Sequence, residues 1–169
     1  MFMGRFLLIC AAIFSGILVA QENEGSAGGQ RAHAAGGNHR MEGRQDRMHS
    51  MLRHHYVMRE GLPEAYHELV NPLTPTDTVM ANGQRIFTET CATCHGEAGN
   101  GDGPAGAALD PSPSNIRRLP RMPMMSSDAY LYWTVAEGGT PIDSAMPALK
   151  ATLTPDQIWS VIHYVREGL

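Results

Sequence analysis

The sequence predicts an all-α domain, and three features carry this prediction. Three stretches in the second half of the chain place apolar residues at helical spacing, and each follows a residue that can cap a helix. No stretch alternates apolar and polar residues as a half-buried strand does. A segment rich in glycine and proline separates the first stretch from the second, as is typical of a long loop.

The first helix is predicted to follow Thr74, which looks like an N-cap with Pro75 at the first helical position. Its apolar stripe leads through Phe87 to Cys91. A glycine at position 83, four residues before Phe87, permits another helix to cross closely.

The other two helices also have recognisable ends. The middle helix is predicted to be capped by Ser126 or Ser127 and to stop at Gly138-Gly139. Residues 154–157, TPDQ, form a capping box with proline at the first helical position, and Gly168 ends the last helix. One apolar stripe follows that box: Ile158, Val161, Ile162 and Val165.

The chain of 169 residues has room for one domain with tails, and we predict three parts. These are a signal peptide over residues 1–20, a Gly/His/Met-rich extension and connector over residues 21–73, and the helical domain over residues 74–169. From Pro75 onward there are ten acidic and six basic residues, whereas residues 31–60 hold six arginines, three acidic residues and five histidines. Neither part has the arginine-rich helix of a nucleic-acid-binding protein, so no nucleic-acid partner is predicted.

The N-terminus has the pattern of a targeting segment. Arg5 is followed by an apolar run from Phe6 to Ala20, which is shorter than the roughly 20 residues that span a bilayer. Cleavage after Ala20 would release a periplasmic protein. The alternative is an uncleaved segment that associates the protein with the membrane, whereas Cys10 lies too early for a lipoprotein site. Residues 21–38 are Gly/Ala-rich and polar, and we expect disorder there.

The sequence CATCH, residues 91–95, carries the chemistry. Cys91 and Cys94 could form a redox-active pair, but no βαβ pattern surrounds them. They could bind zinc, but no second ligand pair follows His95. The remaining interpretation is covalent attachment of a c-type haem, with one thioether bond from each cysteine and His95 as the proximal iron ligand. An exported chain that keeps only these two cysteines favours this interpretation.

Residues from about Thr76 to Leu169 resemble a class I monohaem cytochrome c domain of the bacterial periplasmic sort. The stretches that carry the resemblance are GQRIFTETCATCHGEAGNGDGPAG (Gly83 to Gly106), YLYWTVAEGGTPIDSAMPAL (Tyr130 to Leu149) and LTPDQIWSVIHYVR (Leu153 to Arg166). The resemblance implies the cytochrome c fold, with three or more helices around one haem and the first and last helices crossing at a glycine. Gly83 and Phe87 are accordingly expected to pack against the last helix, at Trp159, Ile162 and Tyr164. It also implies one covalent haem c and electron transfer between redox partner proteins, as a carrier or a cytochrome subunit, and no enzyme activity. The alternative function is a haem enzyme or gas sensor with an open sixth position on the iron.

A methionine as sixth ligand would close the iron site. Met146 is predicted to fill this role, because it follows the middle helix and because SAMPAL resembles the ligand loop of the family. A proline directly after the methionine is not enough to identify the ligand, since Met122 also precedes a proline. The other methionines considered are Met80, Met122, Met124 and Met125.

Further residues are expected around the haem. The resemblance implies a proline carbonyl that accepts a hydrogen bond from His95, and we predict Pro113, ahead of Pro104 and Pro111. Cationic and aromatic side chains are candidates for contacts to the haem propionates, with a solvated surface or a core position as the alternative. They are Arg117, Arg118, Arg121, Tyr132 and Trp133.

Residues 40–60 place methionine among histidine, a combination that favours copper. Copper capture is one interpretation of Met41, Met48 and His49 with the residues that follow. The other is a helix whose Met51, Leu52, His55 and Met58 lie against the cytochrome or a partner. Residues 63–73 are expected to form a connector along the surface of the domain.

Overall fold

A computed structural model describes residues 51–169, which belong to one compact unit of the chain. Helix α1 covers residues 51–60. The other helices are α2 (Asp77–Ile86), α3 (Ala92–His95), α4 (Asp128–Glu137) and α5 (Pro155–Glu167), with a π-helical turn at Phe87–Cys91 and short 3-10 turns at Glu64–Tyr66, Gly106–Ala108, Ile116–Arg121 and Thr140–Ile142. No residue of this stretch is in a strand, so the predicted all-α class is confirmed.

Helices α2 and α3 form one nearly continuous rod that ends at the attachment motif. The N-cap is Thr76, whose side chain accepts a hydrogen bond from the Val79 N–H at 3.4 Å. The prediction of Thr74 was wrong by two residues, because the helix starts later: the Met80 N–H donates to the Thr76 carbonyl at 2.9 Å, which makes Thr76 the cap. The wider π-helical turn then carries the chain into α3, which stops at Gly96 with a φ of 77°.

The caps of α4 and α5 are those that the sequence predicts. The Ser127 hydroxyl accepts from the Tyr130 N–H at 3.3 Å, and α4 ends at Gly138, whose φ is 60°. Thr154 and Gln157 form both hydrogen bonds of the predicted capping box at the start of α5. These two helices are therefore delimited by local signals.

The crossing of α2 and α5 is centred on Gly83. A Cβ atom placed there would lie 2.2 Å from the Ser160 carbonyl oxygen and 2.9 Å from the Tyr164 Cβ, so the two helices approach as closely as backbones allow. One turn later the rings of Phe87 and Tyr164 are 5.5 Å apart, and Phe87 is buried. The predicted glycine crossing and the Tyr164 contact are confirmed.

The other face of α5 packs against α4. The rings of Trp159 and Tyr132 are 4.4 Å apart, and Ile158 and Ile162 are buried in the same cluster as Trp133. Trp159 and Ile162 therefore do not belong to the Gly83 crossing, and that part of the prediction was wrong. At about 100° per residue, they face away from Ser160 and Tyr164 around the helix.

Helix α1 and the segment after it lie on this core. Tyr56 stacks on Trp133 with ring centroids 5.8 Å apart, and Val57 packs beside it. Arg53, one turn earlier, is 8% exposed. The face of the helix that packs on the cytochrome is thus different from the four residues named for it, which are all exposed: Met51, Leu52, His55 and Met58. The alternative that these four contact a partner stays an untested prediction.

The connector over residues 63–73 runs along the domain, as expected, and is fixed to α4 and α5 by polar contacts. The Asn71 N–H donates to Asp128 Oδ2 at 2.7 Å, and its side-chain amide donates to the Trp159 carbonyl at 3.2 Å. The Leu73 carbonyl accepts from His163 Nε2 at 2.9 Å. These bonds set the entry of the chain into α2.

Candidate haem site

The attachment motif sits on one tight turn that the following loop covers. Cys94 and His95 lie on α3, and Cys91 ends the π-helical turn before it. The loop folds back onto this turn, with the Gly101 N–H donating to the His95 carbonyl at 2.8 Å and the Gly103 N–H to the Cys94 carbonyl at 3.1 Å. Both thiols are free and half-buried, and burial, with a smaller contribution from Cys94, raises the pKa of Cys91 to about 11.

One ring nitrogen of His95 is fixed by the protein and the other is left for a ligand. The Nδ1 atom lies 3.0 Å from the Ser114 carbonyl oxygen, which can only accept, so Nδ1 carries the proton. Burial lowers the pKa of His95, the bond to Ser114 opposes this, and the charge of Arg53 lowers it further. The ring is therefore neutral, with the Nε2 lone pair available to bind a metal.

The acceptor is Ser114 and not Pro113, so that prediction was wrong by one residue. Pro113 packs into a space that two glycines leave open. A Cβ at Gly106 would lie 2.7 Å from the Pro113 ring, and a Cβ at Gly101 would lie 2.4 Å from its carbonyl oxygen. With the Pro113 carbonyl facing Gly101, the next carbonyl along the chain faces His95.

Met146 is held over the end of α4 by the two glycines there. The Gly139 N–H donates to the Met146 carbonyl at 2.7 Å, and a Cβ at Gly138 would lie 2.4 Å from the carbonyl of Pro147. The Met146 side chain is half-buried, with its sulfur 3.9 Å from Arg53 Nη2. Glycine at both positions thus lets this loop lie directly on the helix end.

A cavity of about 360 Å³ brings these residues together. Cys91, Cys94, His95 and Met146 all line it. Large apolar side chains from the helices and the loops make up half of the remaining lining residues: Phe87, Leu109, Ile116, Leu119, Met125, Leu131, Val135, Ile142, Leu149, Val161, Ile162 and Val165. A largely apolar chamber with two thiols and an unprotonated imidazole nitrogen fits a covalently held haem.

One wall of this cavity carries polar atoms that lack a partner. Among the described residues, Nη1 of Arg53, the hydroxyl of Tyr130 and the hydroxyl of Thr134 are buried without a hydrogen bond, and all three residues line the cavity. Buried polar groups are normally paired, so these three are available to a polar group inside the cavity. Arg53 is not among the site residues predicted from the sequence, and its spacing to Tyr56 and Val57 on one helix face is the signal that could have revealed it.

The candidates for propionate contacts lie elsewhere. Arg117, Arg118 and Arg121 are exposed, and none of them lines the cavity. Trp133 is buried in the core, and Tyr132 packs on Trp159. The three arginines thus lie on the solvated surface and the two aromatic residues pack in or on the core, as the alternative interpretation has it.

Two of the methionines considered line the cavity, Met146 and Met125. Met122 and Met124 are 37% and 46% exposed, and neither they nor Met80 belong to the lining. Met125 is buried in the α4–α5 cluster. The geometry therefore reduces the choice of a methionine ligand to Met146 and Met125.

Several predictions concern residues outside the described stretch. These are the signal peptide over residues 1–20, the disorder over residues 21–38, and the copper interpretation through Met41, Met48 and His49. Within residues 51–169, no group of three or more histidine, cysteine or acidic side chains is arranged to hold a metal ion. Copper binding stays an untested prediction.

Comparison with known proteins agrees with the fold and the site, which define a class I monohaem cytochrome c domain. A family model described as cytochrome c oxidase, cbb3-type, subunit III matches residues 78–165. This is more than half of the chain, and the chain belongs to that family.

Curated relatives share the same region. The chain is 33% identical over 99 residues to a cytochrome c6 of Thermosynechococcus vestitus, covering 57% of this chain and 79% of that protein. It is 34% identical over 86 residues to a cytochrome c6 of Synechococcus elongatus, covering 51% of this chain and 86% of that protein. No solved structure matches the chain significantly.

The family and these relatives confirm the resemblance, the cytochrome c fold, one covalent haem c and haem-based electron transfer with redox partners. The domain alternates between an oxidised and a reduced state. Within residues 51–169, none of the helices has the length and apolar character that crossing a membrane would need.

Proposed function

We propose that the protein is an exported electron carrier whose haem is attached through Cys91 and Cys94 and whose iron is bound by His95 and Met146. The observation that carries this proposal is the orientation of His95. Its Nδ1 is engaged by the Ser114 carbonyl at 3.0 Å, which leaves Nε2 for the cavity that Met146 and both cysteines line.

Each of these residues has a distinct task. The haem supplies a one-electron iron couple when it is bound. Ser114 keeps the His95 ring in one tautomer and orientation. Met146 would bind the iron through its thioether, which would keep small molecules away from the iron and raise the reduction potential. The apolar wall excludes water, so the local dielectric is low and nearby charges have a large effect on the energy of a group inside the cavity.

The wider role follows from the same residues. If His95 and Met146 both bind the iron, no coordination site would be left for a substrate, which favours a carrier over a haem enzyme or gas sensor. Its partners are a reduced donor and an oxidised acceptor protein. We propose that residues 1–20 direct export to the periplasm, that residues 74–169 form the electron-transfer domain, and that residues 21–73 form an extension to it.

The test compares Met146→Ala with Met125→Ala, because both methionines line the cavity. We expect the wild-type ferric protein to be low-spin, to show the weak near-infrared sulfur-to-iron band, and to leave carbon monoxide unbound when reduced. Met146→Ala should lose the band, become high-spin, bind cyanide and carbon monoxide, and have a lower potential. Met125→Ala should keep the band. An unchanged low-spin spectrum in Met146→Ala would show that another residue holds the iron.

A further inference from the structure

Helix α1 contributes a buried arginine to a cavity that otherwise belongs to the cytochrome domain. Arg53 lies before residues 78–165, which match the family, yet it is only 8% exposed and lines the cavity. Its Nη2 donates to the Gly138 carbonyl at 2.8 Å. The same nitrogen lies 3.9 Å from the Met146 sulfur, and the guanidinium lies over the Trp133 ring, 5.2 Å from its centre.

The charge of Arg53 has no acidic partner in the described part of the chain. The Asp128 carboxylate on α4 pairs with Arg166. Within residues 51–169, no carboxylate pairs with Arg53, whose contacts are the Gly138 carbonyl and the Met146 sulfur. Burial lowers the pKa of Arg53, and Tyr130 opposes this, but an arginine stays charged in proteins. An isolated buried cation is costly, so its retention calls for a compensating use.

We propose that Arg53 is a positioning residue that holds Met146 in place and raises the reduction potential of the site. This inference rests on the proposed function, in which Met146 binds the iron. By binding both Gly138 and Met146, the guanidinium fixes the methionine loop to the end of α4. Without it, that loop is held to the helix by the Gly139–Met146 backbone bond and by packing on the glycines.

The electrostatic effect has the same direction as the mechanical one. An N–H donated to the Met146 sulfur withdraws electron density from it, which makes the sulfur a poorer donor to oxidised iron. One electron accepted from a reduced partner protein lowers the charge of the site by one. The positive charge of Arg53 stabilises that reduced state in the low dielectric of the cavity.

The experiment uses the full-length haem-loaded protein with three variants. Arg53→Met removes the charge and keeps most of the apolar stem. Arg53→Lys keeps the charge but loses the planar fork that reaches two acceptors. Arg59→Met is the matched control, since it removes a positive charge from the same helix where the side chain is 79% exposed.

Three quantities are measured: the potential by redox titration, the near-infrared sulfur band, and the rate at which cyanide replaces the methionine. For Arg53→Met we expect the ratio of reduced to oxidised protein at a fixed potential to fall about tenfold, which is about 59 mV for one electron. Cyanide should bind about tenfold faster, and the sulfur band should weaken. Arg53→Lys keeps the charge, so its potential should stay close to that of wild type, whereas its cyanide rate should rise because the fork is lost. Arg59→Met should match wild type in all three quantities.

Each other result is informative. An unchanged potential and cyanide rate in Arg53→Met would overturn the inference. A lowered potential with an unchanged sulfur band and cyanide rate would show that the charge acts on another group, and the positioning role would be lost. If Arg53→Met does not fold, Arg53→Lys becomes the test. A wild-type potential and cyanide rate in Arg53→Lys would show that the planar guanidinium is not required to position Met146, which would overturn the positioning role. A wild-type protein without the sulfur band would instead refute Met146 as ligand.

Discussion

Substitution of Gly83 by alanine tests the closest helix contact in the domain. The added Cβ would lie 2.2 Å from the Ser160 carbonyl oxygen and 2.8 Å from its carbonyl carbon. Both are backbone atoms in the middle of α5, so no side-chain rotation can relieve the contact. The helices would have to separate until the 2.2 Å contact exceeded 3.0 Å, the lower limit that real Cβ contacts respect.

The magnitude follows from two opposing terms. Alanine in place of glycine favours a helix by about 1 kcal/mol. Overpacking a well-packed contact costs about 1–3 kcal/mol, and a clash with rigid backbone belongs at the upper end of that range. The separation would also loosen Phe87, which is 1% exposed beside the crossing. We therefore expect Gly83→Ala to lower the free energy of unfolding by about 2 kcal/mol.

The assay is equilibrium unfolding of the ferric haem-loaded protein in guanidinium chloride, followed by far-ultraviolet circular dichroism. Ala81→Gly is the control, because Ala81 is exposed on the same helix and its loss should cost only the propensity difference of about 1 kcal/mol. A Gly83→Ala protein that is as stable as wild type, or more stable, would refute the reasoning. That result would mean that the crossing can open without loss of packing.

Two further predictions concern an ion pair and the attachment site. Burial raises the pKa of Asp128, but the hydrogen bond from the Asn71 N–H and the pair with Arg166 together hold it below its usual value. Such a carboxylate stabilises the fold above its unfolded pKa and loses that effect as the pH falls through the lower, folded pKa. The stability deficit of Asp128→Asn at neutral pH should therefore begin to shrink near pH 3.8 and vanish only below the folded pKa. A deficit that persists in acid would contradict this. Replacing both Cys91 and Cys94 by alanine should abolish covalent haem on a denaturing gel stained for haem, whereas either single change should leave one bond. Haem that stays on the double variant after denaturation would disprove the attachment site.

Features set by neighbouring residues could be predicted from the sequence. The capping box at Thr154 and the cap at Ser127 need only a hydroxyl three residues before a free N–H, and both predictions hold. The same rule failed at Thr74, because Thr76 satisfies it equally well and the sequence does not rank the two. Local signals thus identify a helix end more securely than the residue that caps it.

Features set by the path of a loop could not be predicted in the same way. The acceptor for His95 is one residue from the predicted proline, because the packing of Pro113 on two glycines decides which carbonyl faces the ring. The placement of Arg53 depends on contacts 85 residues along the chain, at Gly138. Periodicity places Tyr56 on the same face of α1, but only the fold shows that this face covers the cavity.

The two sides of the candidate site are therefore held in different ways. The Gly101 N–H donates to the His95 carbonyl, and the Ser114 carbonyl accepts from His95 Nδ1. Both partners lie within 20 residues of the attachment motif, so the geometry of His95 is built by the motif and the loop that follows. Met146 is fixed by the end of α4 and by Arg53, whose helix lies outside the region that matches the family. The described hydrogen bonds of His95 come from the loop and none comes from α1, although the charge of Arg53 lowers the pKa of His95. Changes in α1 that keep this charge should therefore alter mainly the methionine side. If Arg53 acts as proposed, the segment before the family-matched region would adjust the potential of the site without changing the contacts of the attachment motif.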